Sequence, residues 1–313
     1  MNSDFPAFLL TPRSFFVLTA ILASQYAWTQ DVDLKDAGAG YAHLISFEAE
    51  PEIAAATFTV DADSPETSDT KIKTMKLPLY REFESDDHDW SWFIQGTLSY
   101  LDMDSTSYLE RGSQFQESID QEWTAYGGLV EAGLVFPLGR GFSLASGLGL
   151  GISRLKNTTD FSDPRLEDLL DPKLQGAVFN WETNATVGRG SLGLRYDQEH
   201  GNFRIKGSGH VSYSYIDSFS ESRNFASFSD HAGTATFKLD ARHPLNIELG
   251  KRPLYIIGHL GSTHFIGSGR DELDFTYFHE VGASIGIEKF TLGVLGVIGD
   301  DIDGYTLVFN YDY

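Results

Sequence analysis

The chain has 313 residues, a formal net charge of −22, no Cys, 31 Gly and 13% aromatic residues, with a mean hydropathy of −0.21. The acidic balance excludes a nucleic-acid partner, which demands a basic footprint, and the lack of Cys with scattered His argues against a structural zinc site. No run of about 18 apolar residues occurs, so no helical span is present; a transmembrane barrel escapes that test, because only alternate residues of each strand face lipid.

Residues 1–29 read as a secretory signal: Arg13 precedes the apolar core Phe15–Ala23, which is too short to cross a bilayer, and small Ala27 and Thr29 flank Trp28 ahead of Gln30. Residues 30–51 fit no strand pattern and are expected to be a periplasmic or lumenal segment ahead of a barrel at 52–313.

Period-two alternation then predicts about twelve strands, at 52–61, 71–83, 88–102, 122–136, 141–154, 177–197, 202–216, 231–241, 252–262, 274–287, 290–298 and 305–313. Ten or fourteen are also compatible, because 177–197 changes its apparent outward parity near Gly188–Gly190, which predicts a β-bulge or two strands. The connection 242–251 is also too long for a tight turn. Several strands exceed the globular mode of about 5–6 residues. Trp90, Trp92, Phe136, Phe142, Phe203 and Phe290 fall beside short connections, whereas Tyr100, Tyr126, Tyr213 and Tyr215 fall nearer long ones. Two aromatic girdles and alternating short and long connections predict an all-β transmembrane antiparallel up-and-down barrel rather than a soluble sandwich. In the long loop 155–176, Asp163 followed by Pro164 predicts a short surface helix.

The chain ends on a strand whose outward face carries Tyr305, Leu307, Phe309, Tyr311 and Tyr313. The same parity points Glu131, Glu182, Arg195, Arg204, Lys206, His210, Lys238, Asp240 and Glu280 into the lumen. Charges of both signs in a narrow barrel are expected to pair, since a lone buried charge is costly. Ser143, Ala145, Gly147, Gly149, Gly151 and Ser153 form a track of small inward residues with room for something to lie against that wall.

Enzyme signatures are poor. Asp86–Asp89 and Asp230-His231 fall at opposite barrel ends, His259 and His264 with Ser262 and Ser268 make no recognisable motif, and Gly299–Gly304 lacks the ligand spacing of a Ca²⁺ loop. No enzyme activity, cofactor or metal is expected.

The aromatic terminal strand resembles the C-terminal strand by which bacterial outer-membrane barrels are recognised and inserted. With the signal and about twelve strands it is similar to the translocator barrel of autotransporters, but only residues 30–51 separate signal from barrel, leaving no passenger. The chain thus looks most similar to the solitary autotransporter-like barrels of Gram-negative outer membranes. That resemblance implies a monomer integral to the outer membrane, touching lipid and lipopolysaccharide, with Tyr305–Tyr313 read by the barrel-assembly machinery. It implies a structural or narrow passive-pore role, with a porin-type solute channel and an outer-membrane hydrolase as the alternatives.

Overall fold

The computed structural model describes residues 53–61, 68–110, 116–165, 167–168, 176, 179–219, 227–267 and 275–311. The expected signal and the 30–51 segment lie outside the described residues.

Twelve antiparallel strands follow one another around a closed barrel. They are β1 (Ile53–Val60), β2 (Thr70–Glu84), β3 (Ser91–Glu110), β4 (Gln116–Gly139), β5 (Phe142–Phe161) and β6 (Glu182–His200), then β7 (Phe203–Phe219), β8 (Ser229–Leu249), β9 (Arg252–Gly267), β10 (Tyr277–Ile287), β11 (Phe290–Gly299) and β12 (Ile302–Tyr311). β1 closes on β12 from Ile53 opposite Phe309 to Val60 opposite Ile302. Closure leaves no row of unpaired backbone groups facing lipid, which a hydrocarbon environment would penalise heavily.

Strand alternation sorts the side chains as expected. On β5, Leu148, Leu150 and Ile152 are exposed outward while Ala145 and Ser153 are buried inward. Trp92, Phe136, Phe142, Phe203 and Phe290 are exposed near the short-turn end, and Tyr100, Tyr126, Tyr213, Tyr215 and Tyr305 form the opposite girdle. Tight turns draw on residues with positive φ, as at Arg140-Gly141 (53° and 81°) and Gly250-Lys251 (61° and 69°). Positive φ at both central residues matches the right-handed strand twist in a two-residue hairpin. In the long loop after β5, Asp163 accepts a hydrogen bond from the Arg165 backbone N–H at 2.9 Å, the capping role expected of it.

Two expectations are corrected. Strand 177–197 is one strand, beginning at Glu182, with an unbroken register against β5 and β7 and no bulge. The apolar residues Ala185 and Val187 suggested a parity change only because they point inward, where a polar lining was expected. The connection 242–251 is not a loop: β8 continues to Leu249 through an irregularity between Pro244 and Glu248, where Pro has no N–H for the ladder.

The strands differ greatly in length. β3, β4 and β5 have 20, 24 and 20 residues, whereas β1 has 8 and β11 and β12 have 10 each. Beyond Tyr100, residues 101–110 of β3 continue for roughly 30 Å along the strand, which at a barrel tilt of about 40° carries this side of the wall about 25 Å past the girdle. Its outward face is acidic there, with Lys73 of β2 bridging Asp102 and Asp104 at 3.4 and 3.3 Å.

The inside of the barrel is layered. Toward the long-loop end lies a single buried apolar cluster, including Phe58, Ile72, Leu101, Leu129, Leu155, Val187, Ile216, Ala232, Phe265, Phe278, Val297 and Ile302. Those twelve residues come one from each strand, so the whole circumference converges on one core. Trp181, Phe228 and Phe275 from the long loops pack into it, Trp181 lying edge-on to Trp123 with ring centroids 5.4 Å apart. A second, smaller cluster of Phe93, Val135, Ala145 and Tyr80 sits toward the short-turn end.

Candidate functional site in the barrel lumen

Between these clusters the lumen is polar, and short hydrogen-bonded groups organise it. On β4, Glu131 accepts a hydrogen bond from Ser191 Oγ of β6 at 2.5 Å and lies 3.9 Å from Nε of Arg189, whose side chain is only 2% exposed. The small-residue track of β5 is what admits Glu131: a Cβ at Gly147 would sit 2.1 Å from Glu131 Oε1. The track is therefore occupied by side chains of the neighbouring strand.

Nearer the short turns, Arg195 donates to the Tyr80 hydroxyl at 3.0 Å and approaches Glu82 at 3.7 Å. Arg204 holds Asp197 through two parallel N–H donors at 2.8 and 2.7 Å, the fork geometry that guanidinium and carboxylate share. Across β8, β9 and β10, His259 Nδ1 lies 2.7 Å from Asp240 Oδ1 and His259 Nε2 lies 2.7 Å from Ser284 Oγ. Glu280 accepts from Thr306 Oγ1 at 3.2 Å. Beside it is a cavity of about 80 Å³ lined by Lys76, Lys238, Glu280, Leu295, Thr306 and Val308 among others.

Of the residues expected inward, Glu131, Arg195, Arg204, Lys206, His210, Lys238, Asp240 and Glu280 stand on lumen-facing positions of their strands. Glu182 does not. It is the first residue of β6, on the lipid-facing parity with Asn184 and Thr186, and it pairs with Arg154 on the outer wall at 2.6 Å. Arg204 meets Asp197 on the adjacent β6, whereas Arg195 of β6 reaches across the lumen to Glu82 of β2, four strands away around the barrel. Arg189, the partner of Glu131, was hidden in the misread Gly188–Gly190 stretch.

On β12, Tyr305 and Leu307 are exposed outward and Phe309 is half-buried, its ring 6.2 Å from that of Phe290. Tyr311 is opposite Phe290 in register, and Tyr313 lies outside the described residues. Asp86–Asp89 lie in the β2–β3 turn and Asp230-His231 at the far end of β8, so the two Asp/His groups are at opposite ends as expected. His259 and His264 are on opposite faces of β9: His264 stacks on Tyr277 at 5.6 Å outside the barrel, with Ser262 Oγ 3.2 Å from its Nε2. Ser268 lies outside the described residues.

A family model described as the solitary outer membrane autotransporter β-barrel domain matches residues 56–313. The chain belongs to this family. The solitary autotransporter barrel is thus an outer-membrane protein. Its fold is similar to the translocator domain of the autotransporter NalP from Neisseria meningitidis, at 8% identity, TM-score 0.51, and coverage of 97% of this chain and 100% of that one. It is also similar to the transport unit of the autotransporter AIDA-I from Escherichia coli, at 9% identity, TM-score 0.49, and coverage of 97% and 100%. The β domain of the Bordetella autotransporter BrkA matches at 16% identity and TM-score 0.45, covering 84% of this chain and 97% of that one. No curated protein matches the chain.

Proposed function

We propose that this solitary autotransporter barrel is a closed, non-conducting structural element of the outer membrane, whose polar lumen half faces the periplasm. One observation carries the reading: each of the twelve strands sends an apolar side chain into a single buried cluster at the long-loop end of the lumen, the end this reading places outside the cell. An ion entering such a layer sheds its hydration with nothing to replace it, and apolar constrictions of this kind stop conduction by dewetting. The polar residues below are bound to one another, so the narrow-pore and porin-type readings have no continuous lining to draw on. In this proposal Tyr305, Leu307 and Phe309 meet outer-leaflet to inner-leaflet lipid down the terminal strand, which the assembly machinery reads during insertion, and the barrel works as a monomer.

Purified protein in planar bilayers tests the seal. The expected result is a silent membrane; steady single-channel conductance would overturn the proposal in favour of a solute channel.

A further inference from the structure

Asp240, His259 and Ser284 belong to neither the apolar core nor the charge pairs. Asp240 is directly opposite His259, and His259 is opposite Gly282, two residues before Ser284 on the same inward face of β10. Donating Nδ1–H to Asp240 at 2.7 Å leaves Nε2 to accept the Ser284 hydroxyl at 2.7 Å. A carboxylate that orients an imidazole, with that imidazole hydrogen-bonded to a hydroxyl, is the arrangement that turns serine into a nucleophile. The backbone makes room for it: a Cβ at Gly293 would lie 1.9 Å from Ser284 Oγ, so only glycine there admits the hydroxyl.

We propose that Ser284, His259 and Asp240 form a nucleophilic site for small acyl esters, of acetyl size, approaching from the periplasm. Size follows from the space available. Val308, opposite Gly293 on β12, and Leu295, two residues along β11 from it, border the cavity of about 80 Å³, which lies beyond Gly293 from Ser284. At about 15 Å³ of such volume per water, that space suits a two-carbon acyl group and rejects a fatty chain. Side follows from solvent access: Asp240 and His259 side chains are 22% and 12% exposed, Ser284 is buried at 2%, and the apolar core lies toward the outer end. The closed-lumen reading enters only in this choice of side, which the conductance measurement tests separately.

In the reaction, Ser284 Oγ bonds to the ester carbonyl carbon as its proton passes to His259 Nε2. The carbon–oxygen bond to the leaving alcohol breaks, and that alcohol takes the proton from Nε2. Water, activated by the same nitrogen, then releases the acid and restores the hydroxyl. Asp240 holds the imidazole in place through Nδ1–H throughout and stabilises the imidazolium.

The test treats the full-length barrel in detergent with methanesulfonyl fluoride, whose adduct is of acetyl size, followed by intact-mass measurement and peptide mapping, and in parallel follows hydrolysis of p-nitrophenyl acetate and p-nitrophenyl palmitate. One adduct on Ser284 is expected. His259→Ala should slow its formation roughly 10²–10⁴-fold, the usual contribution of a general base, and acetate should be cleaved in preference to palmitate. Mapping the unsubstituted protein needs no variant, and heat-modifiable migration shows that His259→Ala and Ser284→Ala remain folded. A folded barrel with no Ser284 adduct, or an adduct forming as fast in His259→Ala, overturns the proposal; preferential cleavage of palmitate overturns the substrate class.

Discussion

Replacing Phe278 with Ala probes how solid the lumen core is. Phe278 is 2% exposed, and its ring lies 6.0 Å from Phe58, 6.1 Å from Phe265 and 6.5 Å from Phe275, three partners from two other strands and a loop. A buried aromatic covers roughly 150–250 Å², which at about 25 cal/mol per Å² is a transfer term of about 4–6 kcal/mol. Measured core Phe→Ala losses run at about 3–5 kcal/mol, so about 4 kcal/mol, or roughly a thousandfold in the folding equilibrium, is expected. Urea titration of the barrel in lipid vesicles, followed by Trp fluorescence, reads the loss. Pairing the change with Phe58→Ala adds a check, because two rings in contact should show a coupling of about 0.5–1.5 kcal/mol. A loss below about 1 kcal/mol, or strictly additive variants, would refute close packing and mean that water fills the outer lumen.

Two further perturbations address the polar layer. Gly147→Ala places a methyl 2.1 Å from Glu131 Oε1 and should cost about 1–3 kcal/mol by displacing that carboxylate, whereas Gly149→Ala, whose nearest neighbours are 3.4 Å away, should shift the urea midpoint by less than about 1 kcal/mol; equal effects would sink this account of the small-residue track. Glu131→Gln removes the carboxylate 3.9 Å from the buried Arg189 guanidinium, and a loss of about 1–3 kcal/mol in the same titration is expected; a neutral or stabilised variant would show that the 3.9 Å pair contributes nothing.

Architecture was legible in the sequence because lipid imposes strict alternation. The runs around Trp92–Leu98 and Leu148–Ile152 declare their outward faces, and the positions of Tyr100, Tyr126, Tyr213 and Tyr215 declare one membrane edge. The interior was half legible. Alternation says which residues point inward but not how they are paired, so Glu131 was placed correctly while Arg189 was missed. Glu182 shows the converse failure: at the start of its strand, beyond the lipid belt, a charge faces outward at little cost, so polarity ceases to report direction. The apolar outer lumen did leave a trace, in Leu101 and Phe278 on largely polar inward faces and in the wholly apolar inward face of β1 around Phe58. Such residues argue for a packed interior once the strand's true register is known. The Asp240–His259–Ser284 group was invisible for another reason: its members are spread over three strands with no motif, and only the register brings them together.

The shortest strand gives the core a second consequence. β1 is joined to β12 by only eight residue pairs, yet it sends Phe58 and Val60 into the cluster, where Val60 lies opposite Ile302 of β12. Parting that seam would therefore wet an apolar interior as well as break a short ladder. The core acts as a latch on the junction between the first and last strands: with that seam open the barrel would hold an unfinished oily cleft, so completing the wall and burying its contents are coupled.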